Sequence, residues 1–475
     1  MHRLNKICKE FNRLSPVAKT SMAIIIAKFF QKGLAMISSP IFTRIMSSSE
    51  YGIISTFTSW QSVIYIVATL NMAQGVFNNG MLDFKEDRPS FTYSILVLAN
   101  ICTAIFALIY ICGYRWLAPF IDMPDALMCI MILYFFVTPA YNYWIGKNRF
   151  EYKYKAVFLI SIVSALFSTG GAIITVLLAP ENMKALAKIF TTETISIVLG
   201  SVFYIYTICN AKGKIKIKYW KYALTVNLPL IPHYLSMYVL SSSDRIMITK
   251  LVNTSATAIY NVAYTAASVI LIFWNAVDAA YAPWIYQKME EKDYGSLQKR
   301  SLEVLTIFAG IAVFVTLFAP EIMTILGPEE YYEGVYVIPS VVAGVFFTAV
   351  FSLYMRIELY LKKSSTIMIA TVAAALINLL LNFVFIRSVG YHAAGYTTLI
   401  CYILLAVFHS VNLHRLGYGK VYNNRVIAFI SAIVCGIIIS VSMLYSFTLI
   451  RYCLIFILFT LGIAYRKKIM NIIKK

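Results

Sequence analysis

Residues 28–55 read KFFQKGLAMISSPIFTRIMSSSEYGIIS, an apolar stretch that carries two lysines four positions apart and ends at a basic residue before a polar turn. Apolar residues continue upstream to about residue 17, so the stretch is long enough to cross a membrane as an α-helix. Similar apolar segments follow along the rest of the chain. The sequence therefore predicts an all-α polytopic membrane protein with about 14 transmembrane helices.

The composition agrees with this fold class. Hydrophobic residues make up 60% of the 475 residues, charged residues only 13%, and the mean hydropathy is +0.74. Each predicted span approaches or exceeds the roughly 20 apolar residues that a membrane-crossing helix needs. The spans are predicted near residues 17–44, 50–80, 90–113, 125–146, 155–179, 186–209, 222–249, 256–286, 300–319, 335–360, 365–387, 391–412, 425–447 and 449–466.

The basic residues follow a topological pattern. Of the 41 Lys and Arg residues, 30 fall at the termini or in every second connector, and only six fall in the other connectors. Because Lys and Arg are enriched on the cytoplasmic side, this asymmetry predicts that both termini are cytoplasmic and that the number of spans is even. The net charge of +20 is then explained by anionic lipid at the membrane surface, and no nucleic-acid partner is predicted.

The connectors leave no room for a catalytic domain, because the longest of them hold only about fifteen residues. The chain contains no nucleotide-binding GxxxxGKS/T loop, no HExxH metal motif and no GxSxG nucleophile motif. The eight cysteines show no metal-ligand spacing and are interpreted as packing residues. The sequence therefore predicts a protein that is not an enzyme and that needs neither a cofactor nor a metal.

Two lysines lie deep inside the first predicted span. Lys28 and Lys32 are four residues apart, which places them on one helix face, roughly 15–25 Å from the cytoplasmic start of the helix. Charged side chains at such a depth are tolerated beside a water-filled cavity or a charged partner. Together with Gln31, the lysines predict a cationic cavity that binds an anionic substrate. The alternative is that each lysine pairs with a buried carboxylate for structural reasons.

Further substrate-binding candidates lie in other parts of the spans. Arg44, Asp244 and Arg245 lie within two turns of the outer helix ends, where they either bind substrate or reach the lipid headgroups. Asp278 lies two turns or more inside the eighth span, ahead of Pro283. We interpret Asp278 as a residue for substrate binding or proton coupling, with a structural ion pair as the alternative.

Three more ionisable residues join Asp278 as candidates for coupling or gating. Arg356 and Glu358 lie in the last turns of the tenth span, where they are expected to face the cytoplasmic interface. Glu193 lies about two turns inside the outer end of the sixth span.

Residues 234–261, YLSMYVLSSSDRIMITKLVNTSATAIYN, echo the first span. In both segments a Ser-rich helix ends at a basic residue before a polar turn and a Tyr. Six spans separate the two segments, so the pattern predicts a duplicated six-helix lobe. The predicted organisation is a basic cytoplasmic N-terminus at 1–16, lobes at 17–209 and 222–412, a basic cytoplasmic connector at 210–221, and two additional helices with a basic tail at 413–475.

On these residues the chain resembles the polysaccharide transport family, which contains the O-antigen flippases and belongs to the multidrug/oligosaccharidyl-lipid/polysaccharide (MOP) superfamily. The resemblance extends over nearly the whole chain. It rests on residues 28–55, on SSSDRIMITKLVNTSATAIYNVAYTAAS at 241–268 and on NAVDAAYAPWIYQKM at 275–289. It implies two six-helix lobes with a pseudo-twofold relation around a central cavity, followed by two extra helices.

The same resemblance implies a function. Members of this family move undecaprenyl-diphosphate-linked oligosaccharide, a repeat unit of O-antigen, capsule or exopolysaccharide, across the bacterial cytoplasmic (inner) membrane by alternating access. The implied partners are this lipid-linked oligosaccharide, the lipid bilayer, and possible polysaccharide polymerase and chain-length machinery. A cationic cavity built on Lys28 and Lys32 agrees with a diphosphate cargo.

Two other functions stay open. A cation-coupled multidrug exporter of the same superfamily would need an acidic cavity, whereas the deepest charges here are two lysines. A membrane-embedded glycosyltransferase or O-antigen polymerase would need catalytic groups on a sizeable outside loop, and the first outside turn offers only Glu50.

Overall fold

The computed structural model describes residues 16–211 and 214–464, which divide into two compact units with the boundary between Leu235 and Ser236. These residues form eighteen α-helices and five 3-10 segments, with no β-strand among them. The predicted all-α class is confirmed. The predicted basic N-terminus up to residue 15 and the basic tail beyond Ala464 lie outside the described residues.

In the described part of the first unit, nine helices are complete and a tenth begins. They are α1 (Pro16–Ile45), α2 (Ser48–Thr69), α3 (Val76–Asp83), α4 (Arg88–Cys112), α5 (Tyr114–Ile121), α6 (Asp125–Phe150), α7 (Tyr154–Leu178), α8 (Lys184–Ala211), α9 (Ile217–Asn227) and α10 (Ile231–Leu251), which continues into the second unit. The turn Leu228–Leu230 separates α9 from α10, and it contains Pro229, which has no backbone N–H to donate.

The second unit continues with eight helices in its described residues. They are α11 (Thr254–Glu290), α12 (Tyr294–Leu317), α13 (Ala319–Leu326), α14 (Ile338–Tyr360), α15 (Ser364–Val389), α16 (His392–Arg415), α17 (Asn424–Val441) and α18 (Thr448–Ala464).

Each predicted span contains at least one helix of the structure, although the boundaries move by several residues and the spans near 50–80 and 222–249 each cover parts of two helices. Eleven helical segments of the described chain are long and apolar enough to cross a membrane. The three other predicted spans correspond to α1, α2 and the 17-residue α18, so the exact number of fourteen is not confirmed. The chain is a multi-pass membrane protein.

Side-chain caps fix where several helices begin. The Ser47 hydroxyl accepts a hydrogen bond from the Glu50 amide at the start of α2, and the Asn253 side chain accepts one from the Ala256 amide at the start of α11. Such caps satisfy backbone donors that have no partner inside the helix. At its other end, α2 stops at Leu70, whose backbone is left-handed with φ of 53°.

An aromatic core holds the first unit together. The rings of Phe77 and Tyr143 stack with centroids 4.6 Å apart and join α3 to α6. Phe91 on α4 and Tyr219 on α9 pack edge to face beside them, at 5.4 Å. Gly80 permits this arrangement, because a Cβ at that position would overlap the Phe91 ring.

The core of the second unit is built around α14. This helix is buried along most of its length and packs against α11, α12, α16 and α17. Its residues are apolar on nearly every side, which is the pattern of a helix enclosed by protein. α16 approaches it closely at Gly395, where a Cβ would overlap the side chain of Ser340.

Candidate functional site

The lysine pair of the first predicted span lies in the middle of α1. Lys28 and Lys32 are both exposed and lie one turn apart on the same helix face. Neither ammonium group is hydrogen-bonded or paired with a carboxylate in the described part of the first unit. α1 thus presents two positive charges without a counter-charge among the described residues of that unit.

The opposite face of α1 is exposed as well, but it is apolar. Its residues include Ile26, Phe30, Ile37 and Ile41, which are 48%, 36%, 69% and 39% exposed. Because successive residues of an α-helix are rotated by about 100°, this face is centred on the side away from the two lysines. A helix that exposes one apolar and one cationic face suits a boundary between lipid and water.

Gln31 and Arg44 also lie on α1, but in different surroundings. The Gln31 side-chain amide donates to the backbone carbonyl of Ser161 on α7 at 3.3 Å, so it takes part in helix packing. Arg44 is exposed at the end of α1, about 18 Å along the helix from Lys32, and donates to the Pro40 carbonyl at 3.0 Å. The structure therefore keeps Gln31 near the lysines and Arg44 apart from them.

Glu193 lies inside the first unit. It is 7% exposed, and its carboxylate accepts a hydrogen bond of 2.8 Å from the Gln61 side chain, which joins α8 to α2. Five residues earlier on α8, the Lys188 ammonium group lies 3.6 Å from the centre of the Phe42 ring. α8 begins at Lys184, so Lys188 lies within the helix and packs on an aromatic ring.

Asp244 on α10 is the centre of a buried polar network in the second unit. The residue is completely buried. Its carboxylate accepts hydrogen bonds from the Tyr260 hydroxyl at 2.6 Å, the Asn382 amide at 2.8 Å and the Thr398 hydroxyl at 3.3 Å. The Asn382 amide also donates to Asn378 at 3.1 Å. The network compensates for burial of the carboxylate and links α10 to α11, α15 and α16.

Arg245 follows Asp244 but takes different partners. Its Nε donates to the Asn261 side chain at 2.7 Å, and Nη1 donates to the Ser241 carbonyl at 2.7 Å. Its guanidinium carbon lies 4.3 Å from the centre of the Tyr264 ring. Arg245 is 8% exposed, so the side chain is held inside the second unit and does not reach out toward headgroups.

Asp278 and Arg356 are brought together by the fold. Arg356 on α14 donates from Nε to Asp278 Oδ1 at 3.0 Å and from Nη2 to Oδ2, which makes a bidentate ion pair with α11. The Arg356 side chain is 25% exposed and the Asp278 side chain is 14% exposed. A bidentate contact fixes the orientation of both groups as well as their separation.

Glu358 differs from its sequence-based expectation. It was expected at the cytoplasmic interface, but it is completely buried between α14 and α16. Its carboxylate contacts His409 Nδ1 at 2.8 Å and accepts from the Asn412 amide at 2.7 Å. The His409 ring is also completely buried and stacks on Phe351, and its Nε2 atom has no hydrogen-bond partner in the described part of the chain.

A cavity of about 290 Å³ lies in the second unit beside Ser241 and Tyr264, both of which Arg245 contacts. No charged residue of the described chain lines it, and its polar groups are hydroxyls and an amide among aromatic rings, as in Tyr264, Asn275, Thr398 and Tyr402. Such a lining can hydrogen-bond an uncharged polar ligand. Among the described residues, no cluster of three or more His, Cys, Asp or Glu side chains could hold a metal ion.

Sequence reasoning did not single out several residues of these networks. Asn378 and Asn382 are four residues apart on α15, and His409 and Asn412 are three apart on α16. Polar residues at such spacing in an apolar helix share one face, and this signal was available for both pairs. The sequence could not show which acidic residue faces them.

The chain matches one protein family over more than half of its length. The model of this family, described as Polysaccharide biosynthesis protein, matches residues 17–289. The matched region begins in α1 and ends in α11, so it includes both segments of the predicted repeat. No curated protein sequence matches the chain.

Solved structures of membrane transporters have the same fold. The lipid II flippase MurJ, in an inward closed conformation, matches with a TM-score of 0.64 and 15% identity, covering 94% of this chain and 99% of its own. An inward-facing multidrug resistance MATE transporter of the MOP superfamily matches with a TM-score of 0.55 and 12% identity, covering 85% of this chain and 99% of its own. A MOP superfamily transporter from Pyrococcus furiosus matches with a TM-score of 0.52 and 14% identity, covering 86% of this chain and 98% of its own. The chain therefore belongs to the polysaccharide biosynthesis protein family and has the fold of the MOP superfamily transporters.

Proposed function

We propose that this protein is a flippase that moves undecaprenyl-diphosphate-linked oligosaccharide across the cytoplasmic membrane. The observation that carries the proposal is the pair of exposed lysines, Lys28 and Lys32, one turn apart in the middle of α1. Because neither is paired within the described part of its unit, both are available to an anionic ligand.

The physical reason lies in the headgroup of the cargo. An anion moved out of water into hydrocarbon loses its hydration at a cost of many kcal/mol. Two ammonium groups in a water-filled cleft reduce this cost through charge-assisted hydrogen bonds to the diphosphate. The apolar face of α1 meets the lipid, where the polyprenyl tail remains during transport.

The family supports this class of cargo. The matching model is one of polysaccharide biosynthesis, and the solved structure with a TM-score of 0.64 is that of a lipid II flippase. Multidrug transporters share the fold, but the exposed charges in the middle of α1 are cationic and would repel a cationic drug.

The proposal includes a cycle and a topology. Two lobes rock so that the lysines face each side of the membrane in turn. The lobes are residues 17–209 and 222–412, and residues 210–221 join them. Residues 413–475 add two helices. Both termini are cytoplasmic, and the flipped product passes to a polysaccharide polymerase with its chain-length machinery.

The other ionisable residues take supporting roles in this cycle. Gln31 and Arg44, on the same helix as the lysines, assist in holding the headgroup and its sugars. Asp244 and Arg245 are buried in the second unit, where they support the packing of α10. The groups that couple or gate the motion are the Asp278–Arg356 pair, Glu358 and Glu193.

The test is reconstitution into liposomes with a fluorescent undecaprenyl-diphosphate oligosaccharide, read by a membrane-impermeant glycosidase. We expect protein-dependent exposure of the glycan. The double variant Lys28→Gln/Lys32→Gln should lower the rate by about tenfold or more, because a hydrogen bond to a charged group contributes about 1.5 kcal/mol or more. Lys28→Arg/Lys32→Arg keeps the charge and should retain most of the activity.

Lys85→Gln is the matched control, since it removes another exposed charge of the first unit and should leave the rate unchanged. Full activity of the double glutamine variant would contradict the role of the lysines. Absence of glycan exposure, together with gradient-driven efflux of small organic cations, would assign a multidrug exporter.

A further inference from the structure

An apolar groove runs along the surface of the second unit between α15 and α16. Its volume is about 400 Å³. Ala370, Ala373 and Ala374 form the α15 wall with isoleucines at either end, and these small side chains leave space opposite Phe408 of α16. Apart from its last turn on α16, every lining side chain is apolar.

The length of the groove matches one leaflet of a bilayer. Its α16 wall runs from Leu404 to Arg415, a rise of about 16 Å. The hydrocarbon core of a bilayer is about 30 Å thick, so one leaflet is about 15 Å deep. A fatty acyl chain inserted along α16 would therefore be covered over most of the leaflet depth.

The polar end of the groove is cationic. Arg415 in the last turn of α16 lines this end, is exposed, and has no hydrogen bond or ion pair in the described part of its unit. Lys362 and Lys363 precede α15 at the same predicted cytoplasmic side. Asn412 also lines this end, but its amide is already donated to Glu358. Arg415 is thus the group available to a headgroup.

We infer that this groove is a binding site for an anionic phospholipid of the cytoplasmic leaflet, with an acyl chain along the alanine wall and the phosphodiester on Arg415. Basic groups between transmembrane helices at the cytoplasmic side recognise such headgroups. A free phosphate would use Arg415 alone and leave the apolar walls uncovered. The site lies wholly in the second unit, so the inference does not depend on the role of Lys28 and Lys32.

The test measures the melting temperature of the full-length protein in neutral detergent while lipid is added. We expect phosphatidylglycerol to reach half of its effect at about a fivefold lower concentration than phosphatidylcholine, which is the contribution of one basic side chain near a membrane. Arg415→Gln should remove this preference while leaving the response to phosphatidylcholine. Ala373→Phe, which fills the groove, should abolish the response to both lipids.

Arg425→Gln is the control, because Arg425 is exposed at the start of the next helix and does not line the groove. This variant should keep the fivefold preference. A preference that survives Arg415→Gln, or an equal response to the two lipids, would overturn the inference. A matching shift with inorganic phosphate alone would show an ion site and overturn it, and displacement of phosphatidylglycerol by equimolar undecaprenyl phosphate would reassign the groove to the cargo tail.

Discussion

The carboxylate of Glu358 holds α14 and α16 together. Replacing it by alanine leaves the buried His409 and the partly buried Asn412 without this partner, so we expect Glu358→Ala to destabilise the protein by about 3 kcal/mol. The measurement is the apparent melting temperature in detergent, with denaturant titration where unfolding is reversible.

Glu303→Ala provides the comparison for this effect. Glu303 pairs with Arg300 at 3.5 Å one turn away, and both side chains are partly exposed. Such pairs contribute less than about 1 kcal/mol. Equal losses of stability in Glu358→Ala and Glu303→Ala would contradict the expectation that burial strengthens the contacts of Glu358.

The depth of an ionisable residue along a helix was readable from the sequence, but its neighbours were not. Lys28 and Lys32 lie in mid-helix on one face, as their spacing predicts. Glu358 lies at the predicted depth as well, yet it is buried because α16 packs on that side of α14. Which face of a helix is covered depends on tertiary packing, which a linear pattern of apolar residues does not specify.

α18 is attached to the rest of the second unit through one prominent ion pair. Arg451 donates from two nitrogens to the Glu321 carboxylate on α13, and it is 3% exposed. We expect Arg451→Gln to weaken this attachment by roughly 2 kcal/mol, the value of hydrogen bonds between charged groups. Hydrogen exchange should then rise in α18 while α14 stays protected.

Acid should loosen the same attachment. Burial disfavours ionisation of Glu321, but hydrogen bonds from Arg451 and Tyr452 outweigh it, so the pKa of this carboxyl lies below its usual value of 4.5. A lowered pKa in the folded state means that the stabilisation is present above the usual value and is lost as the pH falls. Protection of α18 should therefore decrease below about pH 4.5, and a variant without the pair that shows the same decrease would refute this cause.

The helices themselves were largely predictable, because long apolar runs require helical backbone in a membrane. The short elements were not. The predicted span at 222–249 is interrupted by the turn at Leu228–Leu230, and the eight-residue helices α3, α5 and α13 lay in predicted spans or connectors. Local breaks depend on proline and on packing, so hydropathy alone does not locate them.

The distribution of Lys and Arg along the chain predicts which connectors lie on each side of the membrane. In a background without the eight native cysteines, we expect Lys299→Cys, at the start of α12, to react with a membrane-impermeant maleimide only after permeabilisation. Glu329→Cys, between α13 and α14, should react in intact cells, because basic connectors stay in the cytoplasm.

Lys85→Cys is the control for this labelling, since it lies in another predicted cytoplasmic connector and should behave as Lys299→Cys does. Labelling of Lys299→Cys and Glu329→Cys from the same side would contradict the topology. The sequence predicts such sidedness from Lys and Arg alone, whereas the cavity beside Ser241 and Tyr264 and the groove on α15 arise from side chains far apart in the chain.

The enclosed position of α14 has a consequence for how the protein is made. Two of the helices that cover it, α11 and α12, are synthesised before it, and two others, α16 and α17, are synthesised after it. Until α16 has been synthesised through Asn412, the carboxylate of Glu358 lacks both of its partners, His409 and Asn412. A nascent chain released before that point carries an unpaired carboxylate on an otherwise apolar helix, which is costly in a bilayer.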